Sequence, residues 1–244
     1  MIGFWAVCKR ELKAYFTTPV AYVFLVVFLF FAGYLPFELG DFYIRRQADL
    51  SAFFRYLPAL LAVLVPCVAM RLWAAERRSG SIELLLTLPI TVRHAVLGKF
   101  VAAWAFLGIA LLLTLPMPLT VAYLGEPDLG PMLCGYAGAF LMAGGFLAVG
   151  CFFSALSRSQ VISFVLAVVV CGILVYAGMP TTQGFLTGSL GAGVAGVVES
   201  FSMQSHFASI QRGVIALGDV IYFLAVICGW LAACWVVLDE RRAA

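Results

Sequence analysis

Seven cysteines, two histidines and one Gly-Lys pair are the residues of this chain whose types invite chemistry. A metal site or a redox pair needs such ligands at short, repeated spacings. Cys8, Cys67, Cys134, Cys151, Cys171, Cys228 and Cys234 contain no CxxC, their number is odd, and all but Cys8 lie in apolar stretches. They read as small apolar fillers. His94 and His206 are far apart in sequence and offer no ligand spacing. A nucleotide site needs GxxxxGK[ST], whose glycines let backbone amides cradle phosphates. Gly98-Lys99 is followed by Phe100 and has Arg93 where the first glycine belongs, so the chain does not cradle ATP by itself. Gly188-Ser189-Leu190-Gly191 with His206 combines a serine and a histidine, as in a rhomboid-like intramembrane protease. There the serine would start a helix inside the membrane and its base would sit on another span; here both fall in one outer loop. A heme-exporter-like permease would want a clearer histidine or aromatic ligand set than His94 and His206 supply.

The strongest local pattern is Glu76-Arg77-Arg78-Ser79-Gly80-Ser81-Ile82-Glu83-Leu84-Leu85-Leu86-Thr87-Leu88-Pro89. Ser79 or Ser81 can cap a short helix, Glu83 suits its first turns, and Pro89 ends it. The product is a short helix with a Leu-rich face bracketed by arginines. Such a face needs a partner or a membrane interface to cover it.

The elements that must position this segment are membrane spans. Of the 244 residues 64% are hydrophobic and 11% charged, against roughly 25% charged in a soluble domain. Only lipid tolerates helices apolar on nearly every side. The net charge of +3 is small, and no basic run or basic domain points to nucleic acid. The expected fold is all-α and polytopic, one domain over 1–244 with six spans: Val20–Phe37, Tyr56–Trp73, Val96–Tyr123, Met132–Leu156, Val161–Gly178 and Val220–Leu238. Every charged residue is expected in a connection or near a span end, so no intramembrane charge marks an ion path. Pro58 and Pro66 would permit kinks in the second span. The first apolar run starts only after Pro19 and lacks a convincing cleavage site, so the first span is expected to stay in the mature protein.

Lys and Arg then set the orientation. Lys9, Arg10, Lys13, Arg71, Arg77, Arg78, Arg93, Lys99, Arg158, Arg241 and Arg242 fall on one side, and Arg45, Arg46, Arg55 and Arg212 on the other. The richer side carries both termini and is read as cytoplasmic.

Two regions are not simple spans. Within 1–19, Phe4, Trp5, Cys8, Leu12, Tyr15 and Phe16 recur at helical spacing, with Lys9, Arg10, Glu11 and Lys13 on the other face. This is an amphipathic helix for the cytoplasmic interface, either a mere anchor for the first span or a functional part. The loop 179–219 is glycine-rich, moderately apolar and nearly uncharged. It reads as short helices dipping back into the outer leaflet, held by small-residue packing at Gly188, Gly191, Gly193 and Gly196. A seventh, short span is the alternative, and the positive charges at the C-terminus argue against it.

The stretch Glu76 to Pro89 followed by Gly98-Lys99-Phe100 resembles the cytoplasmic loop of ABC type-2 permeases. Lys9-Arg10-Glu11-Leu12 with Tyr15-Phe16-Thr17-Thr18-Pro19-Val20-Ala21-Tyr22 is similar to the gliding-motility subgroup of these permeases. The resemblance implies two associated permeases, as homo- or heterodimer, each engaging a cytoplasmic ATPase that binds ATP and Mg, so that two ATPase copies serve the pair. It implies a bacterial inner-membrane location, export of a substrate, and a possible extracytoplasmic auxiliary protein. It also implies that the coupling loop 74–95 meets the ATPase through Glu76, Arg77, Arg78, Ser79 and Gly80, and through Ile82, Glu83, Leu84 and Leu86. The turn Leu156–Gln160, with Arg158 and Ser159, is the second implied contact. The interfacial helix, with Phe4, Trp5, Lys9, Arg10, Glu11, Tyr15 and Phe16, also faces the ATPase. A subunit that transmits ATP-driven shape change to an extracytoplasmic partner without transport would use the same residues.

Overall fold

The computed structural model describes residues 2–40, 49–80, 91–125 and 127–243. No strand occurs among them; the chain is a series of helices. Helix α1 (Ile2–Thr17) breaks at extended Thr18, and Pro19 opens α2 (Pro19–Glu38), where its missing N–H is not needed. Helices α3 (Ser51–Ala69) and α4 (Arg71–Ser79) follow with only Met70 between them. Thr91 caps α5 (Val92–Leu112) by accepting from the His94 amide, and Pro116 opens α6 (Pro116–Leu124). Asp128 caps the long α7 (Leu129–Leu156), accepting from the Gly130 amide at 2.9 Å. Then come α8 (Gln160–Tyr176), α9 (Pro180–Leu190), α10 (Ala192–Ser200), α11 (Met203–Ile210) and α12 (Leu217–Ala243).

Five stretches are long and apolar enough to cross a bilayer: α2, α3 with α4, α5 with α6, α7, and α12. A sixth exists if α8 and the start of α9, bent by 77°, form one broken span. The expected all-α, polytopic layout is therefore present, with five to six candidate spans among the described residues and a bent helix pair before the last one. The second span does not end at Trp73 but runs on through α4 to Ser79.

Helix α7 is the post of the bundle. It is 72% buried over its apolar window, against 28% for α2. It packs on α3, α5, α8 and α12. Its small residues allow this: Gly135 lies under the Phe54 ring and Ala139 is fully buried, so this small-residue pattern packs within the subunit. Trp104 stacks on Phe140 at 4.5 Å between ring centres and donates its indole N–H to the Phe140 carbonyl at 2.9 Å.

The loop expected to be held by small-residue packing is held otherwise. Gly188, Gly191, Gly193 and Gly196 have nothing within 4 Å of where a Cβ would stand. Helix α11 makes the attachment instead, burying Met203, Phe207 and Ile210 against α7. Large apolar side chains, not close glycine contacts, supply the burial here.

Candidate functional site

Three helices meet around one lysine. Lys99 lies inside α5 with 2% of its side chain exposed. Its Nζ donates to Glu76 Oε1 on α4 at 2.8 Å and to Glu11 Oε1 on α1 at 3.2 Å. The ammonium also lies 5.2 Å from the centre of the Trp73 ring, close enough for a cation–π contribution. Arg10 shares Glu11 Oε1 at 2.9 Å and stands 3.9 Å from Glu76 Oε1. A lone buried ammonium costs several kcal/mol, and only paired, hydrogen-bonded counter-charges offset it. Lys99 keeps to the start of its span, as expected of the charges, but it is buried there among helices rather than exposed. It is tolerable there because two carboxylates reach it from neighbouring helices.

Helix α1 approaches α5 closely enough for this. A Cβ on Gly98 would stand 3.0 Å from Val7 Cγ1 and 3.3 Å from the Phe4 carbonyl oxygen. Glycine lets the two backbones come together beside Lys99. Val7 and Cys8 are buried, and the Tyr15 ring stacks on Phe106 at 5.0 Å and 10°. Phe16 meets the same ring edge-on at 6.1 Å. Burial first, then the Glu11 charge, pushes the Tyr15 phenol up, with Arg71 pulling the other way. Burial likewise raises the Cys8 thiol. So α1 is not only a helix lying on an interface: one face is docked on α5. Trp5 (68% exposed), Lys9 and Lys13 occupy its outer side, while Phe4 sits edge-on to Trp5.

A second set of bonds ties α4 to α7. The Ser154 hydroxyl accepts from the Trp73 and Ala74 amides at 3.0 and 3.1 Å and donates to the Met70 carbonyl at 2.9 Å. It thus stands between the Met70 carbonyl and the Ala74 amide, which would bond each other in an unbroken helix. A side chain inserted into the ladder is a recognised cause of a helix break. The break at Met70 has this cause rather than a proline: Pro66 accepts normally from the Met70 amide. One turn on, Arg77 donates to the Ala155 and Leu156 carbonyls at 2.7 and 3.0 Å. Its guanidinium satisfies the free carbonyls at the negative end of α7. The following turn is closed by Ser157, whose hydroxyl accepts from the Ser159 amide at 3.0 Å, and by Ser163, which lies 3.1 Å from the Phe153 carbonyl.

The segments singled out from sequence therefore converge. Glu11 and Arg10 of the N-terminal helix, Glu76 and Arg77 of the coupling segment, and the turn bearing Arg158 and Ser159 lie at one end of the bundle. Arg93 at the start of α5 lies 4.0 Å over the Trp235 ring of α12, which brings the C-terminal helix to the same end. Arg78 and Arg158 are exposed there. Ser79 ends a helix instead of capping a new one, and Gly80 adopts the left-handed conformation (φ 73°) that terminates it. Ile82, Glu83, Leu84 and Leu86 lie outside the described residues. Sequence reasoning missed Lys99 as the centre, although one charge inside an apolar run flanked by two glutamate-bearing helices was its signal. Ser154 gave no signal at all.

The other end carries a separate group. His206 Nδ1 lies 2.7 Å from Asp219 Oδ1, its Nε2 lies 3.2 Å from the Ser200 carbonyl, and the ring stacks on Tyr222 at 3.9 Å. Both ring nitrogens are thus engaged, and neither by Ser189, so the serine–histidine combination is not assembled. His94, bonded to Thr91, belongs to the start of α5.

The family model for ABC-2 family transporter proteins matches residues 5–241. The chain belongs to the ABC-2 transporter family. No individual curated protein matches it. The chain is therefore a permease, a transmembrane and non-catalytic component of an ABC transporter. Permeases of this kind work with an ABC ATPase.

Proposed function

We propose that this permease is the membrane subunit of an ATP-driven exporter in a bacterial inner membrane, with both termini cytoplasmic. It pairs with a second permease and takes its stroke from a separate ATPase, present in two copies, that binds ATP and Mg. The observation that supports this reading is the joining of α1, α4, α5 and the end of α7 through Lys99, Glu11, Glu76, Arg77 and Ser154. A push on the coupling segment after Ser79 or on the turn at Arg158 is delivered to α7, the post of the bundle, and to α1 together. Glu76, Arg77, Arg78, Ser79, Gly80, Ile82, Glu83, Leu84 and Leu86, with Arg158 and Ser159, form the proposed docking surface. The opening Lys9-Arg10-Glu11-Leu12 supports the gliding-motility-type subgroup, in which an extracytoplasmic auxiliary protein is a further proposed partner.

A second reading is transmission of ATP-driven motion to an extracytoplasmic partner without transport. It is favoured by Phe185 (72% exposed) and Phe201 (65% exposed), which α9 and the end of α10 present at the far end. Purification of the tagged permease from its native membrane in mild detergent, with mass spectrometry of what accompanies it, tests both. A stoichiometric P-loop protein is expected, and an added extracytoplasmic protein favours the second reading. A permease that emerges alone even after cross-linking contradicts both.

A further inference from the structure

A cavity of about 460 Å³ opens between α1, α2, α3, α4 and α5, with the Lys99 cluster at one end. Its volume falls within the roughly 300–1,000 Å³ typical of small-ligand sites. Val23 and Phe24 of α2, Leu64 and Val68 of α3, and Phe106 of α5 make its walls. Glu11, Glu76, Lys99 and Arg71 line its polar end. Three of these four are spoken for: Lys99 binds both carboxylates, and Arg10 adds a second cation to Glu11. The two carboxylates are balanced by Lys99 and Arg10. Arg71 is left as an excess positive charge, with no carboxylate partner among the described residues.

We infer that this cavity binds one anionic phospholipid of the leaflet on the α1 side, with an acyl chain between α2 and α3 and its phosphate on Arg71. The walls decide the class of ligand. Free phosphate has no use for an apolar cleft, and a water-soluble peptide would have to reach it past Val23 and Val26, apolar side chains that are 61% and 67% exposed on α2. The charge decides the headgroup. Arginine presents a planar fork to phosphate, and basic pockets between spans near the membrane surface hold anionic headgroups. A bound chain would fill the space between α2, the least packed of the first spans, and the rigid α3–α4 unit. It would thereby steady the wall of the coupling cluster. The site rests on the membrane location of the chain and not on export or on any ATPase.

Phospholipids carrying a photoreactive diazirine in the upper part of an acyl chain, near its ester, test this in membrane vesicles containing the full-length chain. Phosphatidylglycerol and phosphatidylcholine with identical chains are compared, and labelled peptides are mapped by mass spectrometry. Phosphatidylglycerol is expected to label the peptides around Val20–Val27 and Leu64–Leu72. Phosphatidylcholine carries the same phosphate but offsets it with its choline cation, so the preference should be roughly fivefold, the value of one unbalanced cation near the membrane surface. Excess inorganic phosphate should not displace it. Arg71→Gln should abolish the preference and Arg71→Lys should keep part of it. Leu64→Trp, which fills the cavity, should remove labelling by both lipids. Labelling spread evenly over α2 and α8, a preference that survives Arg71→Gln, or displacement by phosphate overturns the inference. So does a cavity that neither lipid labels and whose Cys67 is shielded by a second copy of the chain.

Discussion

At the α1 end, Lys99 binds α1, α4 and α5 through charges while Arg77 and Ser154 fasten α4 to α7. At the far end, α9 and α10 present Gly184, Gly188, Gly193 and Gly196 to open space, while α11 grips the post. Side-chain bonds cross between helices at both ends, the far end having His206 on Asp219 and the Tyr222 hydroxyl on the Phe201 carbonyl, but there the glycine faces of α9 and α10 stay open. Charged, directional bonds resist relative motion of the helices they join, whereas open faces permit it. The comparison gives the bonded end the task of receiving motion and the loose end the task of yielding to it.

The comparison is broken most severely at its centre. Lys99→Met removes the buried cation that Glu11 and Glu76 share, and breaking a buried pair costs ~3–5 kcal/mol, less here because Arg10 still reaches Glu11. Loss of α1 docking should follow. Buried Cys8 reports it: its raised thiol labels slowly with maleimide near neutral pH, because little thiolate forms until the pH passes the ordinary cysteine range. Labelling should accelerate in the variant, and unchanged labelling would show that α1 is held by apolar contacts alone.

Ser154→Ala removes the hydroxyl that serves two amides and a carbonyl, and a stranded buried donor costs ~1–3 kcal/mol. Thermal unfolding in detergent should shift down. A variant with unchanged stability would mean that the α3–α4 ladder closes by itself. Gly98→Val places side-chain atoms against Val7 and the Phe4 carbonyl, an overpacking of ~1–3 kcal/mol that should also speed Cys8 labelling.

The smallest effect belongs to the far end. Gly188→Ala and Gly193→Ala meet nothing, and replacing an exposed helical glycine gains ~0.5–1 kcal/mol. Unfolding should be unchanged or slightly later. A marked destabilisation at these glycines would mean that a second copy or partner packs on them, and the loose end would not be loose.

Much of this fold is legible in the sequence because the bilayer leaves few choices. Apolar run length gives the spans, and the basic residues sort to one end where the structure gathers them. The amphipathic spacing around Lys9 and Glu11 gives α1. What hydropathy does not carry is pairing between spans. Lys99 counts as one more basic residue near a span end until Glu11 and Glu76 are seen to reach it from different helices. Ser154 is an ordinary small residue in an apolar run, and its place in the ladder of another helix depends on the rotation of α7. The glycines of the outer hairpin fit a packing motif by composition, but nothing in their spacing reveals which way they face.

The most direct test of the central claim, that the Lys99 cluster joins the ATPase-facing elements into one unit, is the stable association and coupled turnover of the ATPase with charge-altered permeases in membranes. Lys99→Glu alone should lose the co-purifying ATPase or its permease-dependent turnover while the protein stays inserted. The swap Lys99→Glu with Glu76→Lys, which restores opposite charges at the same contact, should recover a substantial part of both. Full retention and turnover in the single variant, or no recovery in a stably inserted swap, would contradict the claim.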